Sequence, residues 1–577
     1  MISNYYQQEL YHLKELAVEF SKAHPALAPL LSGPGSDPDV ERLLEGTAFL
    51  TGLVREKLDD EFPEIVHNLL RIIFPHYLRP IPSATVIQFT PKPGLMEILH
   101  VPKGAAIASV PVDDTRCVFT TCYDVDIHPL RITGVNLEKS LGKKPRLRLS
   151  FELTGISLTE WEPKSLRLLI GGSLAEASDR YRLLLTEARE VRIAAGETGD
   201  VLTLPGSCLK PVGFADEDAL FPYPPNSFPG FRLLQEYFVM PHKFLFIDIT
   251  GLDKWKNKGK GSSFSISITL DALPQNAPDF KQGHFILSAT PAVNLFKHGA
   301  EPILLDHKRT YYRVRPSDQH INNYQVYDIK NVVGFIQGTV KQRKYVAFEM
   351  FRPRSDDVAV YQVSQRNSAT DDSMALNLSV AYPPDAPAPV PETLSIELLC
   401  TNFRLPESLQ VGDINQPTET SPSLTDFKNI SQPSAAVQPP LGRELLWRLL
   451  SHISLNYLPI ANAENLKALL RLYIFPDTRD RASVVANNKR VDGVLELRSI
   501  LNERILRGHI MRGNIIELTL SSQNFASLGD MYLFGSVLDT FFGSYSSLNS
   551  FTQFKIIDHH TGESYEWPLR TGDRPLI

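Results

Sequence analysis

The chain has 577 residues and a formal net charge of -6, and 43% of its residues are hydrophobic. This length predicts roughly three or four domains, with enough interior to fold without disulfide bonds. A sequence pI near 6.2 and the lack of a basic stripe argue against a nucleic-acid-binding protein, so no nucleic acid is expected as a partner.

The cysteines and the amino terminus indicate a cytoplasmic protein. The four cysteines form no CxxC pair and have no histidines at zinc spacing, which is typical of buried thiols in a reducing compartment: Cys117, Cys122, Cys208 and Cys400. The first twenty residues lack the basic start and apolar middle of a secretory signal. No window approaches the roughly 20 apolar residues of a membrane-spanning helix. We therefore expect neither a metal nor a cofactor, and no direct membrane insertion.

Residues 1–80 are predicted to form a helical head. The first helix covers residues 6–20, where apolar residues recur at spacings of three and four. A second helix is expected to begin at Pro38, and a third to begin after Phe62 and end at Pro75. Their apolar stripes must be buried against something. Packing within one chain and a bundle shared with another chain both remain open.

A proline-rich stretch, PHYLRPIPS, follows the head. Pro75, Pro80 and Pro82 each fix their own backbone and keep the preceding residue out of the helical region. This composition predicts a stiff corner and not a flexible linker, which would be rich in Gly and Ser. The next residues, 83–91, alternate as in a strand with one buried face.

The rest of the chain is predicted to be mainly β, so the fold class is α+β and multi-domain. Short β-branched and aromatic runs separated by turn residues predict a sandwich-like or barrel-like unit at 81–252 and a second one at 253–410. Residues 411–440 are poor in apolar residues and rich in Pro, Ser, Thr and Asn, which predicts a linker or a crossing arm. Residues 441–577 mix helical and strand patterns and predict an α+β unit.

Several helices and one hairpin are expected inside these units. Helical patterns cover residues 180–185, the LLQEYFVM stretch at 233–240, residues 445–453, and a wide apolar stripe at 533–542. The stretch at 551–569 alternates and contains a turn, which predicts a hairpin close to the carboxyl end.

A search for catalytic motifs finds no HExxH, GxSxG, complete Walker loop or GxGxxG. His559 and His560 are adjacent, and neighbours in a strand point to opposite faces, so a shared metal is not expected. Asp216, Glu217 and Asp218 could serve as acid and base in a carbohydrate-binding or glycoside-processing protein, but they lie in a predicted loop. We expect no catalytic, cofactor-binding or metal-binding residues and no enzyme activity.

Long motifs in a fixed order resemble the TssF family (also called VasA or ImpG), baseplate subunits of bacterial type VI secretion systems. They span nearly the whole chain and include FPEIVHNLLRIIFPHYLRPIPS, CVFTTCYDVDIHPL, FPGFRLLQEYFVMPHKFLFIDI, NLFKHGAEPILLDH, LLCTNFRLP, ELLWRLLSHISLNYLPI and MYLFGSVLDTFFGSYSSLNSFTQF. The parts least like the family are the linker at 411–440 and the proline-rich loop near 383–391.

The resemblance implies a scaffold. Proteins of this family assemble, two copies to one TssG-like subunit, into a wedge similar to those of contractile phage baseplates. TssK-like adaptors would connect the wedge to the membrane complex, so the chain would act in the cytoplasm and reach the membrane only indirectly. TssE-like and VgrG-like proteins would lie toward the sheath and the spike. The wedge would support tube and sheath assembly and trigger contraction.

A scaffold of this kind needs fixed angles between its units, and two joints are candidates for that role. We expect partner-binding or joint residues at the proline corner and at the RLLQEYF segment: Leu69, Leu70, Ile73, Phe74, Tyr77, Leu233, Glu236, Tyr237 and Phe238. Packing in the core of one chain is the alternative for each of them, because buried aromatic and aliphatic residues are usually core residues.

Overall fold

The structure is a computed structural model that describes residues 2–24, 38–139, 142–195, 199–223, 227–274, 277–348, 359–367, 374–382, 390–439, 462–475, 480–506, 508–546 and 550–572. Helices and several sheets occur together, which confirms the predicted α+β, multi-domain class. The helices in these ranges are α1 (Ile2–Ala23), α2 (Pro38–Ile73), α3 (Leu174–Thr186), α4 (Pro229–Val239), α5 (Ala463–Arg471), α6 (Arg481–Asp492) and α7 (Leu528–Gly543).

The strands of the same ranges form six sheets. The first are β1 (Ala84–Pro91), β2 (Leu99–Val101), β3 (Ala106–Val112), β4 (Thr115–Thr121), β5 (Val125–Ile127), β6 (Leu130–Glu138), β7 (Arg146–Leu153), β8 (Ser165–Ile170), β9 (Ala188–Ala194), β10 (Leu202–Pro205), β11 (Leu209–Pro211), β12 (Phe246–Thr250), β13 (Ser263–Leu270), β14 (Phe285–Leu287) and β15 (Ala289–Val293). The others are β16 (Phe296–Gly299), β17 (Ile303–Leu305), β18 (Tyr312–Val314), β19 (Gln325–Ile336), β20 (Gln342–Ala347), β21 (Val360–Asn367), β22 (Met374–Ala381), β23 (Glu392–Thr401), β24 (Thr425–Asn429), β25 (Val494–Leu506), β26 (His509–Leu520), β27 (Ser550–Asp558), β28 (Ser564–Glu566) and β29 (Arg570–Thr571).

The helical head consists of α1 packed along α2, with Lys14 Nζ and Glu41 Oε1 3.4 Å apart. α2 is one continuous helix, so the predicted break after Phe62 is wrong. Pro63 removes one backbone hydrogen bond and crowds the preceding turn, but a proline can kink a helix without ending it. The sequence on both sides of it contains Leu, Glu and Arg, which are good helix formers.

β1 is the second strand of a five-stranded sheet with the order β24-β1-β15-β4-β3. Both faces of β1 are covered, because Val86 belongs to the largest apolar core while Ile87 and Phe89 belong to a separate one. The prediction of a strand with one buried face is therefore wrong. Alternation alone does not reveal a second layer of structure on the polar-looking face.

Residues 411–440 supply β24, which pairs antiparallel with β1. The same segment forms isolated bridges that join Ala108 to Gln416 and Ile81 to Val437. It therefore crosses back over the start of the β region and completes the edge of its first sheet. Of the two predicted alternatives, this is the geometry of a crossing arm.

The boundary predicted near Leu252 does not separate two sheets. β13, which follows it, pairs with β7 on one side and β9 on the other, and β14 pairs with β8. The connection before β13 is rich in Gly and Lys. Leu252 and Trp255 are nevertheless buried, so this connection is anchored to the core.

The second β-rich unit has its own core and is built from one sheet with the order β16-β23-β19-β20-β21-β22-β18. The sheet of β25 to β29 packs on α7 and shares the largest core with α3 and α4. The helices predicted at 180–185, 233–240 and 533–542 are confirmed as α3, α4 and α7, and β27 with β28 confirms the hairpin. The helix predicted at 445–453 lies outside the described residues.

Candidate functional site

Residues 74–82, which we call the proline corner, connect α2 to β1. At the end of α2 the N–H of Phe74 donates to the carbonyl of Leu70 at 2.7 Å. A 3-10 turn, Pro75–Leu78, follows and begins with a proline, where a missing N–H costs no hydrogen bond. The residue before Pro80 is extended, because a following proline disfavours the helical region. The backbone of the corner therefore has few alternative conformations.

Aromatic side chains from distant parts of the chain surround this corner, and we call them the aromatic cluster. The ring of His76 lies between two tyrosines, with Nε2 3.3 Å from the hydroxyl of Tyr473 and Nδ1 3.3 Å from the hydroxyl of Tyr223. The rings of Phe74 and Phe231 meet edge to face at 6.0 Å between centroids. The end of the helical head is thereby packed against α4 and against Tyr473, two residues after α5.

The aromatic cluster continues to α7. Phe231 lies 6.1 Å from Phe541, and Phe228 lies 4.3 Å from Tyr545, measured between ring centroids. A Cβ atom on Gly230 would lie 2.6 Å from the Phe228 ring and 2.9 Å from the Phe541 ring. Glycine at this position therefore allows α4 and α7 to approach closely.

Arg79 ties the corner to two further segments. One guanidinium nitrogen lies 2.8 Å from Asp328 Oδ2 on β19, and another donates to the carbonyl of Pro222 at 3.1 Å. The guanidinium also lies over the ring of Tyr327, 5.4 Å from its centroid. One side chain thus links the corner to the second β-rich unit and to the loop before α4.

A fully buried carboxylate lies on α4. Glu236 accepts hydrogen bonds from the N–H of Leu220 at 2.8 Å, from Arg232 Nη1 at 3.1 Å, and from the ammonium of Lys243. Lys243 also donates to the carbonyl of Asp218 at 2.8 Å. We call these residues the buried charge network, and they hold the loop before α4 against the turn that follows it.

Burial lowers the pKa of Lys243, and the attraction of Glu236 opposes that effect. The backbone carbonyl of Lys243 accepts a hydrogen bond from the hydroxyl of Tyr123 at 2.9 Å. A buried charge pair is stable only when its remaining hydrogen-bonding groups are also satisfied, and here each charge has several partners. The network therefore specifies one geometry between α4 and the first β unit.

The carboxyl end of α4 is fixed by a second ion pair. Arg490 on α6 lies 2.9 Å from one carboxylate oxygen of Asp530 on α7. The same arginine donates to Asn487 at 2.7 Å, and Asn487 in turn donates to the backbone carbonyl of Phe238 at 3.4 Å. Three helices are thus locked together at this end.

The structure places the predicted joint residues inside the chain. Glu236 is in the buried charge network, and the other predicted residues with described side chains belong to one apolar core: Leu70, Phe74, Tyr77, Leu233, Tyr237 and Phe238. The side chains of Leu69 and Ile73 are not among those the structure describes. The proline corner and the RLLQEYF segment therefore form one packed region, and the described side chains face the chain's own core.

Sequence reasoning missed Arg79, Tyr223, Phe231, Tyr473 and Lys243. Arg79 lies between two prolines in the corner, and that position was the one local signal available. Tyr473 is 397 residues from its partner His76, so no local pattern could have connected them. Lys243 lies two positions after Pro241 and seven positions after Glu236, and its burial depends on tertiary packing.

The helical head presents an exposed apolar surface. Small residues fill the buried contact between its helices, among them Ala17 and Ala48. Large apolar side chains are exposed on more than one side of the two helices, and we call this set the head face: Tyr11, Leu16, Val18, Phe20, Leu43, Phe49, Leu50 and Val54. Leu43, Leu50 and Val54 are separated by seven and four positions, so they lie on one side of α2. A surface of this kind marks an interaction site.

The acidic residues of the predicted loop have structural roles. Asp216 lies 3.2 Å from Arg232, and Asp218 accepts a hydrogen bond from the N–H of Gly213 at 3.0 Å. Asp216 and Glu217 line a cleft of about 1560 Å³. These bonds shape the loop and do not favour the glycoside-processing alternative.

His559 and His560 occupy the exposed turn after β27. Over the described ranges, no three His, Cys, Asp or Glu side chains come together as a candidate metal site. A search of those same residues finds that none of their helices combines the length and the apolar character needed to cross a membrane.

Comparison with known proteins relates the chain to one family. The family model "Type VI secretion system, TssF" matches residues 1–574. Type VI secretion system component TssF1 of Pseudomonas aeruginosa PAO1 is 31% identical, and the alignment covers 99% of each chain.

Similar solved structures include two from type VI secretion baseplates. A chain of the TssK-TssF-TssG baseplate subcomplex of a type VI secretion system, determined by cryo-electron microscopy, is 26% identical with a TM-score of 0.80, covering 93% of this chain and 99% of that chain. A chain of a type VI secretion baseplate complex is 23% identical with a TM-score of 0.64, covers all of both chains, and shows the shared fold. On the family model and the full-length relative together, the chain belongs to the TssF family of type VI secretion system proteins.

Proposed function

We propose that two copies of this chain assemble with one TssG-like subunit into a wedge of the type VI secretion baseplate, and that the head face receives the TssG-like subunit. Membership of the TssF family supports the role of a structural baseplate component. The observation that carries the assignment of the surface is the head face itself, which exposes large apolar side chains while small ones fill the contact between α1 and α2.

The exposed apolar side chains of the head face provide the driving force expected for binding of the TssG-like subunit. The side chains of Leu43 and Leu50 are 71% and 63% exposed. Burial of a leucine side chain is worth about 1.5–3 kcal/mol, so a few such residues provide the core of a stable interface. A helix of the partner packed against the Leu43, Leu50 and Val54 side of α2 would complete a bundle, which is the shared-bundle alternative that the sequence left open.

The packed joint explains how a bound head could control the rest of the chain. The proline corner, the aromatic cluster and Arg79 connect α2 to α4, α7 and β19 through buried contacts. Cores packed in this way transmit displacement instead of absorbing it. We infer that the corner sets the angle between the partner-bound head and the β units, and so the shape of the wedge.

Further partners follow from the same role. The similar chain in the TssK-TssF-TssG subcomplex supports a TssK-like adaptor as a partner. We propose that TssE-like and VgrG-like proteins contact the wedge toward sheath and spike. We also propose that the chain works in the cytoplasm, is recruited to the inner face of the membrane through the membrane complex, and acts mechanically as a scaffold without catalysis or a cofactor.

The head face is tested by co-expression with the TssG-like subunit. Leu43→Asp combined with Leu50→Asp is expected to abolish the complex, since it places two charges on the apolar surface. Both side chains are largely exposed, so the lone variant should keep the circular dichroism spectrum of the unmodified chain. The mass of the purified complex gives the stoichiometry, with two copies per TssG-like subunit expected.

Leu304→Asp is the matched control, because this leucine is 52% exposed but lies on the second β-rich unit. It should leave the complex intact. Leu70→Asp, in contrast, charges a fully buried position and should unfold the lone chain. Survival of the complex with Leu43→Asp and Leu50→Asp together would show that the TssG-like subunit binds elsewhere.

A further inference from the structure

The edge of the carboxyl-terminal sheet is open. β25 is 13 residues long, pairs with β26, and is the last strand on its side of the sheet. Its outer row of backbone N–H and C=O groups meets no other strand among the described residues. A long open edge invites pairing with another strand, and proteins usually cover or shorten such edges.

The tip of the β25–β26 hairpin projects beyond the sheet. β27 pairs with β26 from Arg512 onward, so the residues nearest the turn form a ribbon of two strands. Ile505 and Ile510 lie opposite each other there, and both are exposed. A two-stranded ribbon is marginally stable by itself, which favours a partner at this position.

The apolar face of β25 continues out of the core. Side chains alternate along a strand, so Leu497, Leu501 and Ile505 share one face. Leu497 is buried in the largest core, whereas Leu501 is 85% exposed. The surface that covers Leu497 inside the chain thus ends before Leu501, and the remainder of the face has no cover within the described residues.

We propose that β25 pairs antiparallel with β25 of a second copy of this chain, about a two-fold axis through Ile500. This inference rests on the proposed wedge, which holds two copies, and names the surface where they meet. In this register Glu496 of each copy lies opposite Arg504 of the other, which gives two complementary charge pairs by symmetry. Ile500 lies opposite its own copy at the centre.

Other registers are less complementary. An axis through Leu501 places Arg498 opposite Arg504, and like charges directly opposite each other destabilise a sheet. Parallel pairing in register places each glutamate beside its own copy. Glu496 lies 2.8 Å from Arg498 on the same strand, but both are exposed, and such a surface pair is easily exchanged.

Cysteine cross-linking tests the register. Cβ atoms of directly opposite residues are about 5 Å apart, so Ile500→Cys should give a dimer of this chain with a short bis-maleimide. In Arg498→Cys the two thiols are displaced by four residues, about 14 Å, and should react at least tenfold less. The four native cysteines are buried and give little background. Both variants are tested in the lone chain and in the complex with the TssG-like subunit.

The two proposals fail in different ways. Loss of the complex with the TssG-like subunit concerns the wedge, whereas the cross-link concerns this edge. Three results would each overturn the self-pairing of β25. They are equal yields from the two cysteine variants, no dimer from Ile500→Cys in either sample, and capture of a different protein at residue 500. A strong, register-specific dimer supports it.

A charge exchange provides a second readout. Glu496→Arg should lower the yield of the Ile500→Cys dimer, and adding Arg504→Glu should restore it. Within the hairpin Glu496 lies opposite Thr519 and Arg504 opposite Met511, so neither change breaks a cross-strand charge pair of the fold. If the double exchange does not restore the dimer, the charges do not set the register, and the two-fold axis through Ile500 is wrong.

Discussion

Arg79 and Asp328 form an ion pair of 2.8 Å that joins the proline corner to β19. The two residues are 249 positions apart, and both side chains are mostly covered. Through this pair and the hydrogen bond to Pro222, the end of the helical head is connected to both β-rich units. The conformation of the corner is therefore stabilised by contacts with both β-rich units as well as by its own prolines.

Arg79→Ala is expected to lower the free energy of unfolding by about 2 kcal/mol, because it leaves a half-buried carboxylate and a carbonyl without their donor. Thermal unfolding followed by circular dichroism measures the change. In Arg79→Lys the charge is kept but one of the two hydrogen bonds is lost, so its effect should be smaller. If Arg79→Ala were no less stable than Arg79→Lys, the ion pair would contribute nothing to the joint.

The sequence was sufficient for the α+β class, for most helices and for the corner, because these depend on local chemistry. Prolines restrict their own backbone, and an apolar stripe at spacings of three and four indicates a helix wherever it lies. The position of α4 and the pairing of β27 with β28 followed from such patterns.

The arrangement of the sheets could not be obtained in the same way. β24 pairs with β1 across more than 300 residues, and β13 returns to β7 and β9 after a linker-like loop. Burial of the predicted joint residues follows from these long-range contacts. A stripe of leucines looks the same in sequence whether it is buried by its own chain, as Leu70 is, or exposed on the head face, as Leu50 is.

Glu236 provides a test of the buried charge network. Glu236→Ala should destabilise the chain by about 3–5 kcal/mol, because it leaves Lys243 and Arg232 buried without a counter-charge. Glu236→Gln keeps an acceptor for the N–H of Leu220 and should be intermediate. Urea unfolding followed by tryptophan fluorescence gives the order of the variants. A Glu236→Ala variant as stable as Glu236→Gln would show that the carboxylate charge is not needed.

His128 predicts a loss of stability in acid. The indole N–H of Trp161 can only donate, and it donates to His128 Nδ1 at 3.2 Å, so this nitrogen carries no proton. Burial lowers the pKa of His128 from 6.5 to about 4. Between these values an unfolded chain takes up the proton and the folded chain does not, so acidification favours unfolding. The free energy of unfolding should fall by about 3 kcal/mol between pH 7 and pH 4.

His128→Asn checks this assignment, because asparagine offers an acceptor to the indole and does not titrate. The melting temperature of the unmodified chain should fall more steeply than that of His128→Asn from pH 7 to pH 4. Parallel pH profiles would show that other groups cause the acid sensitivity.

Gly230 and Gly46 form a matched pair of helical glycines. Alanine is favoured over glycine in a helix by about 1 kcal/mol. A Cβ on Gly46 in α2 meets nothing within 4 Å, so Gly46→Ala should raise the free energy of unfolding by that amount.

A Cβ on Gly230 meets the Phe228 and Phe541 rings at 2.6 and 2.9 Å, and overpacking of a core costs about 1–3 kcal/mol. Gly230→Ala should therefore be destabilising despite its better helix propensity. Melting temperatures of both variants decide the point, and a stabilised Gly230→Ala would mean that α4 and α7 are not tightly packed at the aromatic cluster.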